Sequence, residues 1–135
     1  MNYRVVVDTN ILVSYLLPNK KLTAIRAFMD RVLRGDFELI VSKEIMQEYE
    51  DVLHRRKFGF LDDSISELLD FFQYNSIFVE AWDTGVELAD SGDLPFFEAY
   101  IAEQSPETFL VTGNTKHFPE WPYIVTPSQI IKVLE

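Results

Sequence analysis

The sequence predicts a single α/β domain over residues 1–135: a three-layer α/β/α sandwich with a central, mainly parallel sheet of four to five strands. Three observations predict it. Val5-Val6-Val7 is a continuous β-branched run, which reads as a buried strand. Further strand-like runs alternate with segments whose apolar residues recur at helical spacing, the pattern of a parallel sheet covered on both faces. No internal repeat, low-complexity tract or Pro/Gly-rich linker divides the chain.

The elements follow in order. Strand one covers Arg4–Val7. Pro18-Asn19-Lys20-Lys21 breaks the chain before a helix near Thr23–Arg34, capped by Thr23 and ended by Gly35. Glu38–Val41 is strand two. Ser42 caps the next helix, whose apolar stripe is Ile45, Met46, Tyr49, Val52 and Leu53. A third helix runs from Asp62 or Ser64 to Tyr74, with Ile65, Leu68, Leu69 and Phe72 facing inward. Ile77–Val79 is a short edge strand, and Gly85–Ala89 is expected to be a brief helix. Asp93 precedes Leu94-Pro95, and proline suits a helix's first turn, so a helix continues from there to Ser105-Pro106. Thr108–Thr112 is a strand ending in the turn pair Gly113-Asn114. A last strand near Tyr123–Val125 leads through Thr126-Pro127-Ser128 into a terminal helix.

Composition narrows the function classes. Hydrophobic residues make up 47% of the chain, which excludes a disordered protein. No apolar run approaches the roughly 20 residues of a membrane span, so no membrane association is expected. No signal-peptide pattern opens the chain, because Asp8 interrupts the first apolar run. With no cysteine there is no disulfide framework or thiolate metal site, which fits a cytoplasmic location. His54 and His117 are too few for a typical zinc site.

The net charge of −10 is unevenly spread. Residues 1–57 carry +2, residues 58–115 carry −12 with no Lys or Arg, and residues 116–135 balance. Most of these acids read as a solvated, solubilising surface. A polyanion would approach through the N-terminal part, over Arg55-Arg56-Lys57 beside His54 and over Lys20-Lys21.

Four positions stand out against that acidic background. Asp8 ends strand one, and ligands of open α/β sheets sit beyond the carboxyl ends of strands. Glu48 lies on the helix after strand two, beside its apolar stripe. Asp93 opens the late helix, and Asn114 follows the last strong strand. A ring of hard oxygen donors suits Mg²⁺ or Mn²⁺. Two such ions about 4 Å apart would clamp the attacking and leaving oxygens of a phosphodiester. Plainer roles compete: Asp8 as a turn residue, Glu48 as surface helix charge among Glu44, Glu50 and Asp51, and Asp93 as an N-cap. Capping and ligation are compatible if one Asp93 oxygen does each. Asp90 is a reserve acid. Thr9, Asn10 and Thr112 are placed to hydrogen-bond the acids or a phosphate. Lys116 and His117 follow Asn114 and would either touch the scissile phosphate or form an exposed turn.

The layout resembles the PIN-domain family, nucleases that include the VapC-type toxins of toxin–antitoxin pairs. Four segments carry the resemblance: Val7-Asp8-Thr9-Asn10, Ser42 to Tyr49 with its acid at Glu48, Asp93-Leu94-Pro95-Phe96, and Leu110-Val111-Thr112-Gly113-Asn114. The resemblance implies a metal-dependent endoribonuclease for single-stranded RNA, with Asp8, Glu48 and Asp93 as catalytic, metal-coordinating acids. It adds Glu98 as a candidate fourth ligand or water-orienting base. It also implies a homodimer and a cognate antitoxin protein. Asn114 departs from the commoner acid there and contributes no charge. Two rival readings remain: a PIN-fold binding module with weakened catalysis, and a small phosphohydrolase using Asp8 as nucleophile. The second would want an acid where the chain has Asn10.

Overall fold

Among the described residues five strands form one parallel sheet: β1 (Arg4–Val7), β2 (Glu38–Val41), β3 (Ser76–Phe78), β4 (Thr108–Val111) and β5 (Ile124–Val125), in the spatial order β3-β2-β1-β4-β5. The structure is a computed structural model and describes residues 2–18, 23–88 and 90–134. Among the described residues six helices join the strands: α1 (Thr9–Leu16), α2 (Thr23–Leu33), α3 (Lys43–Leu53), α4 (Asp62–Asn75), α5 (Leu94–Ala102) and α6 (Pro127–Leu134). Short 3-10 turns cover Ser91–Asp93 and Thr115–His117. The architecture is that of a three-layer α/β/α fold, with α2 packed on α6 and α3 packed on both α4 and α5.

The topology decides where a ligand can sit. From β1 the chain moves outward through β2 to β3, then returns to the other side of β1 with β4 and continues to β5. The strand order therefore reverses between β1 and β4, and a crevice opens beyond their carboxyl ends. Val7 pairs with Val111 in the β1–β4 register, so the next residues on each strand, Asp8 and Thr112, emerge side by side. The Asp8 N–H donates to the Val111 carbonyl at 2.9 Å and extends the ladder. Val5, Val6, Val7, Leu110 and Val111 are buried, as central strands covered on both faces require.

Most elements follow the sequence reading, and three points differ. Helix α1 was not anticipated. Val13, Leu16 and Leu17 continue the apolar character of Ile11 and Leu12, which hides any amphipathic period. The helix expected at Gly85–Ala89 does not form over residues 85–88, and Ala89 lies outside the described residues. There the Asp83 carboxylate accepts the Gly85 N–H at 2.8 Å and Gly85 takes a φ of 70°, a local turn that diverts the chain. Asp93 makes no capping hydrogen bond with its side chain, contrary to the capping role expected of it. Asp90 is the residue that caps, accepting the Gly92 N–H and so ordering the turn before α5. Lys20 and Lys21, and the side chain of Thr23, lie outside the described residues.

Candidate active site

Asp8 reaches the crevice because its backbone is extended while the chain turns into α1 immediately after it. It occupies the N-cap position without a side-chain capping bond, although the Thr9 backbone N–H lies near enough to lower its carboxyl slightly. Instead Oδ2 accepts a hydrogen bond from the Thr112 hydroxyl at 2.7 Å, across the β1–β4 seam. The residue is 4% exposed. Burial pushes its carboxyl up to about 6; the Thr112 hydroxyl opposes that rise, and the Asp93 charge adds to it.

Glu48 comes from α3. Ser42 starts this helix by accepting the Ile45 N–H at 3.1 Å, and Ile45, Tyr49, Val52 and Leu53 bury its apolar stripe. That stripe fixes the helix's rotation, and the half-buried Glu48 at its margin lines the cleft while Glu44 and Glu50 stay exposed. The Tyr49 hydroxyl donates to the Val7 carbonyl, tying α3 to the strand that carries Asp8. Desolvation raises the Glu48 carboxyl; Arg55 draws it down, and Asp51, Asp90 and Asp93 push it up.

Asp93 enters from the turn before α5, a helix anchored by buried Phe96, Phe97, Ala99 and Tyr100. Its carboxyl is raised by burial first and by Asp90 second, and lowered by His117. Nδ1 of His117 stands 3.3 Å from Asp93 Oδ2. Oδ2 is buried and has no hydrogen-bond partner of good alignment, so the contact with His117 is one of charge and dipole.

Asp8, Glu48, Asp90 and Asp93 thus line one cleft of about 500 Å³, together with Thr9, Asn10, Arg55 and His117. Elements distant in sequence converge on it, and the raised carboxyls of Asp8, Glu48 and Asp93 record the shared cost of burying like charge. The donor chemistry fits a hard divalent cation: an orphaned carboxylate oxygen on Asp93 and a desolvated carboxylate on Asp8. Among the described residues, no group of three or more Asp, Glu, His or Cys side chains is placed so that it could hold a metal ion. The cleft is thus an acidic site whose carboxylates stand apart from one another.

The remaining expected residues separate clearly. Asn10 accepts the Gly113 N–H at 3.2 Å, linking α1 to the loop after β4. The Thr112 hydroxyl, besides donating to Asp8, accepts the Asn114 N–H at 3.1 Å. Thr9 lines the cleft with a buried, unpartnered hydroxyl. Asn114 is not on the cleft wall; its amide contacts the His117 ring. Glu98 is turned elsewhere: its Oε2 accepts from the Thr84 N–H at 2.7 Å and from the Thr84 hydroxyl at 3.1 Å. Of the basic cluster only Arg55 lines the cleft, while Lys57 lies over the Phe58 ring and Arg56 is exposed. Lys116 is exposed on the turn after Asn114, outside the cleft. Sequence reasoning missed Tyr49 as a support for Asp8, because a tyrosine on an apolar stripe reads as core. It also missed Phe58 on the cleft wall.

A doubly wound parallel sheet with acids gathered at its topological switch point defines an α/β protein with an acidic cleft at that point. The PIN domain family model matches residues 4–116, and the chain belongs to the PIN domain family. PIN domains are generally nucleases, and they generally use divalent metals. No curated protein matches the chain. Among the described residues no helix is long and apolar enough to cross a membrane.

Proposed function

We propose that this protein is a Mg²⁺- or Mn²⁺-dependent endoribonuclease that cleaves single-stranded RNA, and that it is the toxin of a toxin–antitoxin pair. The observation that carries the reading is the convergence of Asp8, Glu48 and Asp93, from three separate elements, on one cleft. A bound divalent ion there would lower the pKa of a coordinated water and neutralise charge developing on the phosphate. Asp8, Glu48 and Asp93 would hold that ion. Thr112 keeps the Asp8 carboxylate turned toward the cleft by donating to Oδ2. Arg55, the cationic side chain on the cleft wall, would meet a phosphate and set the direction of approach. Arg56, Lys57, Lys20, Lys21 and Lys116 would extend that approach, on the less acidic parts of the sequence.

By family resemblance the proposal includes a cytoplasmic homodimer held in check by its antitoxin. A second reading, a PIN fold that binds RNA or protein with weakened catalysis, draws on the uncharged Asn114 and on the open arrangement of the acids. Incubating end-labelled single-stranded RNA with the protein separates the two. The nuclease reading expects internal cleavage with Mg²⁺ or Mn²⁺ and none with excess chelator. RNA retained intact under every metal condition would favour the binding module.

A further inference from the structure

We propose that Phe58, seated on Phe60, is a stacking platform for one nucleobase of a single strand whose phosphate is met by Arg55; the inference rests on the cleft taking single-stranded nucleic acid. Arg55 and Phe58 both line the cleft that Asp8, Glu48 and Asp93 share. Phe58 stacks on Phe60 with ring centroids 5.3 Å apart and planes 9° from parallel. Phe60 packs against the hydrophobic core, so the ring stacked on it has a fixed support. Phe58 itself is half-buried, which leaves part of its ring to the cleft. Every nucleobase carries a π-face whatever its identity, and an aromatic side chain held partly open to solvent is the partner that such a face takes.

Local structure joins the cation to the ring. After α3 ends at Leu53, the Arg55 N–H donates to the Val52 carbonyl at 3.1 Å, and the Phe58 N–H donates to the Arg55 carbonyl at 3.1 Å. The second bond closes a tight turn with Arg55 and Phe58 as its ends. Gly59 follows with a φ of 64°, and this left-handed step lets the chain bring Phe60 alongside Phe58. The Lys57 ammonium stands 5.1 Å from the Phe58 ring centroid. An exposed cation over a ring is held less firmly than a stacked base, so a base displaces it and Lys57 turns to a phosphate. The run Arg55-Arg56-Lys57-Phe58 thus combines charge for the backbone with a ring for the base. Bases paired in a duplex are stacked on their neighbours and cannot be offered to the ring. The platform therefore selects single strands and accepts any base.

The test measures binding of the full chain to two fluorescent RNA strands of equal length, one bearing bases and one wholly abasic. Anisotropy is read at low salt in excess chelator, which withholds the proposed metal. Both strands carry the same phosphates, so the difference between them reads stacking. Wild type is expected to bind the base-bearing strand on the order of tenfold more tightly. Phe58→Leu and Phe58→Met, each checked for folding by circular dichroism, should lose that preference and leave abasic binding unchanged, while Phe58→Tyr should retain it. Arg55→Gln should weaken both strands alike and lower the salt dependence, as loss of a phosphate contact does. A wild type that does not distinguish the strands would overturn the platform. So would a folded Leu or Met variant that keeps the preference or weakens both strands equally. Base-dependent binding without cleavage in Mg²⁺ or Mn²⁺ would overturn the nuclease reading and keep the platform; cleavage with binding indifferent to Phe58 would do the reverse.

Discussion

Asp8 is held in the protein at a cost to folding, and the cost has a definite pH signature. Its carboxyl moves from an ordinary value of 3.8 to about 6 in the fold, with burial as the leading cause. Between those values the folded chain binds the proton and the unfolded chain does not, so this contribution to stability falls as pH rises toward and through 6. At neutral pH the penalty is about 3 kcal/mol. Asp8→Asn should therefore stabilise the metal-free protein at neutral pH by roughly 1–3 kcal/mol and flatten the pH dependence, as read by urea unfolding across the range. A variant less stable than wild type, with the same pH slope, would contradict this. Thr112→Val removes the hydroxyl that opposes the rise and should weaken Mg²⁺ binding on the order of tenfold in a calorimetric titration. At this scale the positions of Asp8 at a strand end, Glu48 at the margin of a helical stripe and Asp93 before a helix were legible from spacing, while their sharing one cleft was not. Nor was the orientation of Glu98, since its engagement with Thr84 depends on the path of a loop that no periodicity describes. His117 was read as either phosphate contact or exposed turn; its place between Asn114 and Asp93 needed the 3-10 turn.

Each catalytic candidate is only as well placed as the element that carries it. Helix α3 depends on its start: Ser42 is fully buried and its hydroxyl accepts the Ile45 N–H. Ser42→Ala should cost about 1 kcal/mol by thermal or urea unfolding, and the loss should be larger than for an exposed change such as Lys43→Ala. Tyr49 joins the same helix to β1 through its bond to the Val7 carbonyl. Tyr49→Phe keeps the packing against Phe72 and Phe96 but removes that donor, with an expected loss of roughly 1–3 kcal/mol. The elements that were legible had a clear period or a clear boundary residue: Ser42 before α3, Pro95 within the first turn of α5, the Val-rich β1. Helix α1 had neither, being apolar along most of its length after Asn10. The segment near Gly85 had a helical composition but was claimed by the Asp83 turn and by Glu98. Local hydrogen bonding overrode propensity there.

The whole molecule joins these parts through topology and charge. The order β3-β2-β1-β4-β5 places the switch point at β1 and β4, and the expectation of a parallel sheet was enough to predict that Asp8 and the end of β4 would meet. Which acids would turn into the cleft, and which would remain in the acidic surface of residues 58–115, depended on packing that the sequence does not show. Gathering Asp8, Glu48 and Asp93 in one cleft with Arg55 as the cationic side chain on its wall leaves their carboxyls raised, so a bound cation that relieves them should stabilise the fold. At Mg²⁺ concentrations of about 100 Kd the gain is roughly 2.7 kcal/mol, visible as a rise in Tm of several degrees. Asp8→Asn combined with Asp93→Asn should abolish that rise. The most direct measurement is cleavage of single-stranded RNA in Mg²⁺ or Mn²⁺ by wild type and by Asp8→Asn, with the fold of both checked by circular dichroism. Asp8 as a metal-holding acid predicts cleavage by wild type and a loss of on the order of a hundredfold or more in the folded variant; equal cleavage by the two proteins would contradict it.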